Sequence, residues 1–69
     1  RERIDATREE VALAVELEAA ERLRFDQGDS HLLIMNLREQ QTAEARLREV
    51  DALLDYFRSL ADLRAAQGR

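Results

Sequence analysis

The chain contains no proline and only one internal glycine, Gly28; the other glycine, Gly68, stands next to the last residue. Proline and glycine break helices most strongly, so a chain with a single internal breaker is free to be helical on both sides of it. The expected organisation is a helix over about residues 1–27, a turn over about 28–31 and a second helix over about 32–67. The expected fold class is all-α: an antiparallel, coiled-coil-like helical hairpin occupying residues 1–69 as one unit.

The chain is 45% hydrophobic and 38% charged over 69 residues but only 4% aromatic, which leaves little material for an ordinary globular core. Chains this short bury only about 60% of their unfolded surface and usually rely on a disulfide, a metal or a partner. There is no cysteine, so a disulfide is excluded, although that alone does not fix the compartment. The missing burial is expected from neighbouring helices, and an isolated hairpin is expected to self-associate, for example as a dimeric four-helix bundle.

The formal net charge is -4, and all 11 basic residues are arginines. These arginines are interleaved with Asp and Glu instead of forming the cationic stripe that DNA or RNA binding needs, so no nucleic-acid partner is expected. The longest apolar run, Leu32 to Met35, is far below the roughly 20 residues that span a bilayer, and no membrane contact is expected of this segment. The opening RERIDATREE lacks the apolar stretch of a signal peptide and reads as the interior of a charged helix, with further sequence expected upstream.

Apolar residues recur at helical spacing in both segments. In the first, Ile4, Val11 and Val15 fall on one side and Ala6, Leu13, Leu17 and Ala20 on another, with Leu23 and Phe25 continuing to the turn. In the second, Leu47, Val50, Leu54, Phe57 and Ala61 step by three and four, while Leu53, Tyr56, Leu60 and Leu63 form a second row beside them. Leu33 extends the first of these registers upstream, with Asn36 and Gln40 at the intervening positions. Two apolar rows per helix imply contact with other helices on both flanks. Glu18–Arg22 and Glu44–Arg48 have the spacing of helix-stabilising ion pairs, and the remaining carboxylates and arginines read as wet faces.

Between the segments lies Phe25-Asp26-Gln27-Gly28-Asp29-Ser30-His31-Leu32-Leu33. Gly28 is suited to the left-handed conformation that ends a helix, and Asp29 or Ser30 to capping the next. The second arm, about 54 Å at ~1.5 Å per residue, outruns the first, about 40 Å, so residues from about Arg58 onward are expected to lack a partner in the hairpin. This mismatch reads as truncation of the first arm at Arg1.

Chemistry is scarce. His31 is the only histidine, which rules out a two-histidine metal site or a convincing Ser-His-Asp set within one chain. Asp26, Asp29 and His31 read as solvated turn residues before they read as metal ligands. No enzyme activity, cofactor or metal is expected, because an open hairpin offers no pocket to shift carboxylate pKa values. Asn36, Gln40 and Gln41 read as a register-fixing or solvent-facing patch, with a pore lining or docking groove as the alternative.

The ordered set of Phe25, Gly28-Asp29-Ser30 and Leu32-Leu33, then Asp55-Tyr56, Leu60, Leu63 and Gly68, resembles the C-terminal repeat of the TolC-like outer-membrane efflux proteins. The resemblance covers about Val11 to Gly68. It implies a trimeric channel with a β-barrel in the outer membrane and an α-helical barrel in the periplasm, where this hairpin would sit. Its turn, Gln27, Gly28, Asp29, Ser30, His31, Leu32 and Leu33, would meet a periplasmic adaptor and, through it, an inner-membrane pump. The residues Leu47, Val50, Leu53, Leu54, Tyr56, Phe57, Leu60 and Leu63 would pack between helices. Ile34 and Leu37 stand where known members place acidic residues narrowing the entrance, so no acidic gate carries over, and Gln27 replaces a residue that is often small and apolar. The alternatives are the α-hairpin of a periplasmic adaptor, a generic dimeric coiled-coil scaffold, and a Rop-like RNA-binding dimer disfavoured by the acidic balance.

Overall fold

With residues 1–68 described, the computed structural model contains two α-helices, α1 (Glu2–Asp26) and α2 (Leu32–Gln67), folded back on each other as an all-α hairpin. Pairs at the same height show that they run antiparallel: Arg3 meets Asp55 near the open end, Arg48 donates from Nε to Glu10 Oε2 at 2.9 Å in the middle, and Arg22 lies 3.6 Å from Glu39 towards the turn. Glu44, expected to pair with Arg48 along the helix, is displaced by Glu10 across the seam. Glu18 and Arg22 do approach, at 3.9 Å.

The molecule is a rod of 63 × 16 × 11 Å with a radius of gyration of 17.5 Å. A compact domain of this length would have a radius of about 11 Å. The accessible surface is 5566 Å², against about 4,450 Å² for a compact chain of this mass. Two helices in contact have one seam and no second layer, so most side chains remain at the surface.

That seam is formed by Ile4, Thr7, Val11, Ala14, Glu18 and Glu21 of α1, each buried or half-buried and stepping by three and four. Met35, Arg38, Thr42, Ala45, Glu49 and Ala52 answer them from α2. Its buried apolar residues are Ile4, Met35, Ala45 and Ala52, and its other buried residues are Thr7, Glu21 and Thr42. Small side chains let two helix backbones approach closely. The buried hydroxyls bond locally: Thr7 Oγ1 donates to the Ile4 carbonyl at 2.8 Å, and Thr42 Oγ1 to that of Arg38 at 3.1 Å, with the Ala14 carbonyl across the seam at 3.4 Å.

The long apolar rows are not this seam. Leu47, Val50, Leu54, Tyr56, Phe57 and Leu63 are exposed, with Leu47 at 65%, and only Leu53 and Leu60 are half-buried. Val15 is also exposed, one step away from the Ile4–Val11 line it was expected to join. The physical reason is size: the face carrying Ala45 and Ala52 permits close approach, whereas the Leu–Phe face would hold the backbones apart. Tyr56 and Phe57 instead pack edge-to-face with ring centroids 5.8 Å apart. At the open end α2 runs past α1, and Leu63 has nothing of this chain over it among the described residues.

Ala45 is only 1% exposed and Ala52 2%. Ala45→Leu should therefore force the helices apart and cost about 1–3 kcal/mol in chemical denaturation. Unchanged stability would show that the seam has room that close packing denies it.

Candidate functional site

The reversal begins with a closed helix end. Gln27 is the α1 C-cap, with its N–H on the Leu23 carbonyl at 3.1 Å, and Gly28 follows at φ 81°. The Gly28 N–H bonds the Phe25 carbonyl at 3.0 Å and the Asp29 N–H bonds the Arg24 carbonyl at 2.8 Å, which is the paired 5→2 and 6→1 pattern of a Schellman motif. Arg24 Nη2 also donates to the Asp29 carbonyl at 3.0 Å, bracing the turn from the helix side.

The start of α2 departs from the expected capping. The N-cap is His31, extended at φ -119° and ψ 151°, and no side chain bonds the free amides there; neither Asp29 nor Ser30 caps the helix. The Ser30 hydroxyl donates to Glu21 Oε2 on α1 instead. A carboxylate acceptor makes a stronger hydrogen bond than a neutral one, so Ser30 ties the loop down to the first arm and leaves the α2 amides to solvent.

Glu21 is the centre of this arrangement. Its side chain is 8% exposed, although the sequence places it within what reads as a wet charged run. It stands between Arg24 Nε at 4.0 Å, Arg38 Nε at 3.9 Å and the Ser30 hydroxyl, so the loop and both helices converge on one carboxylate. Arg38 donates from Nη1 to Gln41 Oε1 at 3.2 Å, while its buried Nε has no hydrogen-bond partner and faces Glu21 only at ion-pair range. A buried carboxylate requires opposite charge and hydrogen bonds around it, and this one receives both. The signal in the sequence was its step of three from Glu18 and seven from Ala14, which places it on the seam line.

Above this cluster the tip is open. Leu33 is 80% exposed and Leu32 61%; Gln27, Gly28, Asp29 and His31 are exposed, and Ser30 is half-buried. Asn36, Gln40 and Gln41 are exposed along the first turns of α2. Among the described residues no group of three His, Cys, Asp or Glu side chains gathers to hold a metal, and no helix is long and apolar enough to cross a membrane.

Two shallow grooves run along opposite sides of the seam. One, about 320 Å³, is lined by Leu13 and Leu17 with Arg38, Gln41 and Arg48; the other, about 250 Å³, by Asp5, Arg8, Leu53, Tyr56 and Phe57. Of the expected packing residues, Leu53, Tyr56 and Phe57 line the second groove and none lines the first, where Leu13 and Leu17 of α1 stand instead. Comparison with protein-family models, with curated proteins and with solved structures returns no match.

Nothing lies within 4 Å of a Cβ placed on Gly28, so substitution there acts through backbone strain alone. Gly28→Ala should cost about 1–2 kcal/mol in chemical denaturation, and Gly28→Asn less. Glu21→Ala, which strips Ser30 and both arginines of their shared partner, should cost about 1–3 kcal/mol. Equal stability of Gly28→Ala and the parent would remove the left-handed turn from the account.

Proposed function

We propose that this hairpin is a stave in the periplasmic α-helical barrel of a trimeric outer-membrane export channel of the TolC-like kind, and that its turn docks a periplasmic adaptor. The observation that carries the reading is the division of labour between side chains. The hairpin closes on itself through alanine, threonine, Ile4, Val11, Met35 and paired charges, and it leaves most of its leucines, with Val15, Val50 and Phe57, exposed on its outer flanks. A free-standing arm, such as an adaptor hairpin reaching through solvent, would do the opposite, burying its large apolar residues and wetting the rest. A stave in a wall of helices must pack on both sides.

On this reading the channel segment is passive, and the energy for export comes from the inner-membrane pump reached through the adaptor. No catalytic group is invoked. The braced turn suits docking, because a loop held by a Schellman motif and by Glu21 loses little conformational freedom on binding. The docking contacts would come from the side chains that the turn does not use itself, namely Asp29, Leu32 and Leu33. Ser30, occupied by Glu21, would act as a brace.

The test is cross-linking in the full-length channel protein alongside its adaptor. Replacing Asp29, Leu32 and Leu33 together by alanine should abolish adaptor cross-links while leaving a trimer in the outer-membrane fraction. Undiminished adaptor cross-links would dismiss the docking role. Absence of the parent protein from that fraction would dismiss the channel reading altogether.

A further inference from the structure

The two free apolar rows differ in place and in size. Leu13 and Leu17, which continue the helical row of Ala6 and Ala20, line the groove on one side of the hairpin, whereas Leu53 and Phe57 line the groove on the other side. We propose that these rows are the two halves of one interface: the α1 row of one copy of this chain packs against the Leu47–Val50–Leu54–Phe57 row of a second copy, at equal height. This deepens the stave reading by naming the neighbour, and it rests on the hairpin being part of a wall.

Three observations support the choice of a second copy. The first is register. Arg3 is level with Asp55 and Glu10 with Arg48, so Ala6 lies level with Ala52 and Leu13 with Ala45. If the second copy sits at the same height, Ala6 of one chain falls between Val50 and Leu54 of the other, and Leu13 falls between Ala43 and Leu47. The small residue meets the bulky stretch, and the bulky residue meets a stretch that contains an alanine. A head-to-tail contact closes into a ring only when it carries no axial shift, and the side-chain sizes fit at zero shift.

The second observation is charge. Glu9 and Glu16 flank the α1 row and Arg46 flanks the α2 row, and among the described residues none of the three has an ion-pair partner within the hairpin. At zero shift Arg46 of one copy stands at a height between Glu9 and Glu16 of the next. The third is area. The rod exposes about 1,100 Å² more than a compact chain of its mass, and one partner in a standard interface contributes about 800 Å².

The test uses the 69-residue chain itself and single-cysteine variants. Leu13→Cys mixed with Leu47→Cys should give a disulfide between unlike chains, and neither variant alone should cross-link. Disulfides within Leu47→Cys alone, from α2 against α2, would overturn the proposal, as would a strictly monomeric chain in sedimentation equilibrium. A charge exchange gives a second reading that does not depend on cysteine: E16R and R46E should each weaken association, R46E by roughly fivefold, and mixing them should restore it. No restoration would overturn the head-to-tail pairing, with helicity by circular dichroism confirming that each variant is folded. These results are independent of the adaptor experiment: copies that pair as described would stand even if the tip docks nothing, and a docking tip would stand even if the neighbouring stave is a different hairpin.

Discussion

The architecture depends on how closely two helix backbones approach along the line from Ala14 and Ala45 to Ala52. Two helices joined by a tight turn are held together by whatever lies between them, and here the most deeply buried positions, Ala45 and Ala52, carry a single side-chain carbon. Close approach brings the carbonyl of Ala14 within reach of Thr42 and sets Glu10 against Arg48 and Arg3 against Asp55. It also decides the fate of the larger residues. Once the alanine faces meet, most leucines and the aromatic residues are turned outward, with Leu53 and Leu60 left half-buried at the edge.

Exposed ion pairs along the seam contribute only about 0–1 kcal/mol each, so they are better regarded as fixing height than as holding the arms together. Glu21 differs because it is buried. Removing a charge from water is costly unless its surroundings replace the lost hydration, and Ser30, Arg24 and Arg38 together do so. The cluster joins three separate parts of the chain, which makes the turn a continuation of the seam and not a loop attached to it.

The hairpin itself was legible because helix breakers are local: Gly28, and the absence of any proline, marked the reversal to within a residue or two. The choice of facing surface was not legible. Hydrophobic periodicity identifies what will be buried against something, and Leu47, Val50, Leu54 and Phe57 are the stronger pattern, but it cannot say whether that something lies within the chain. Alanine and threonine score weakly in such patterns, yet their small volume is what a two-helix contact selects. The capping of α2 was missed for a related reason. Asp29 and Ser30 have suitable chemistry, but Ser30 finds a buried carboxylate nine residues back that only the folded hairpin brings near.

A rod two helices thick has a further consequence. Each layer of the seam touches only the layer above and the layer below, so stability accumulates along one dimension, much as in a stacked array. The Schellman turn and the Glu21 cluster hold the closed end, while the other end, where α2 runs on alone, has no such tie among the described residues, so the arms should open from there. Amide protection should therefore be graded, lowest near Glu2 and the last turns of α2 and highest beside Glu21. On that gradient the hairpin is firmest at its turn and loosest at the ends of its arms.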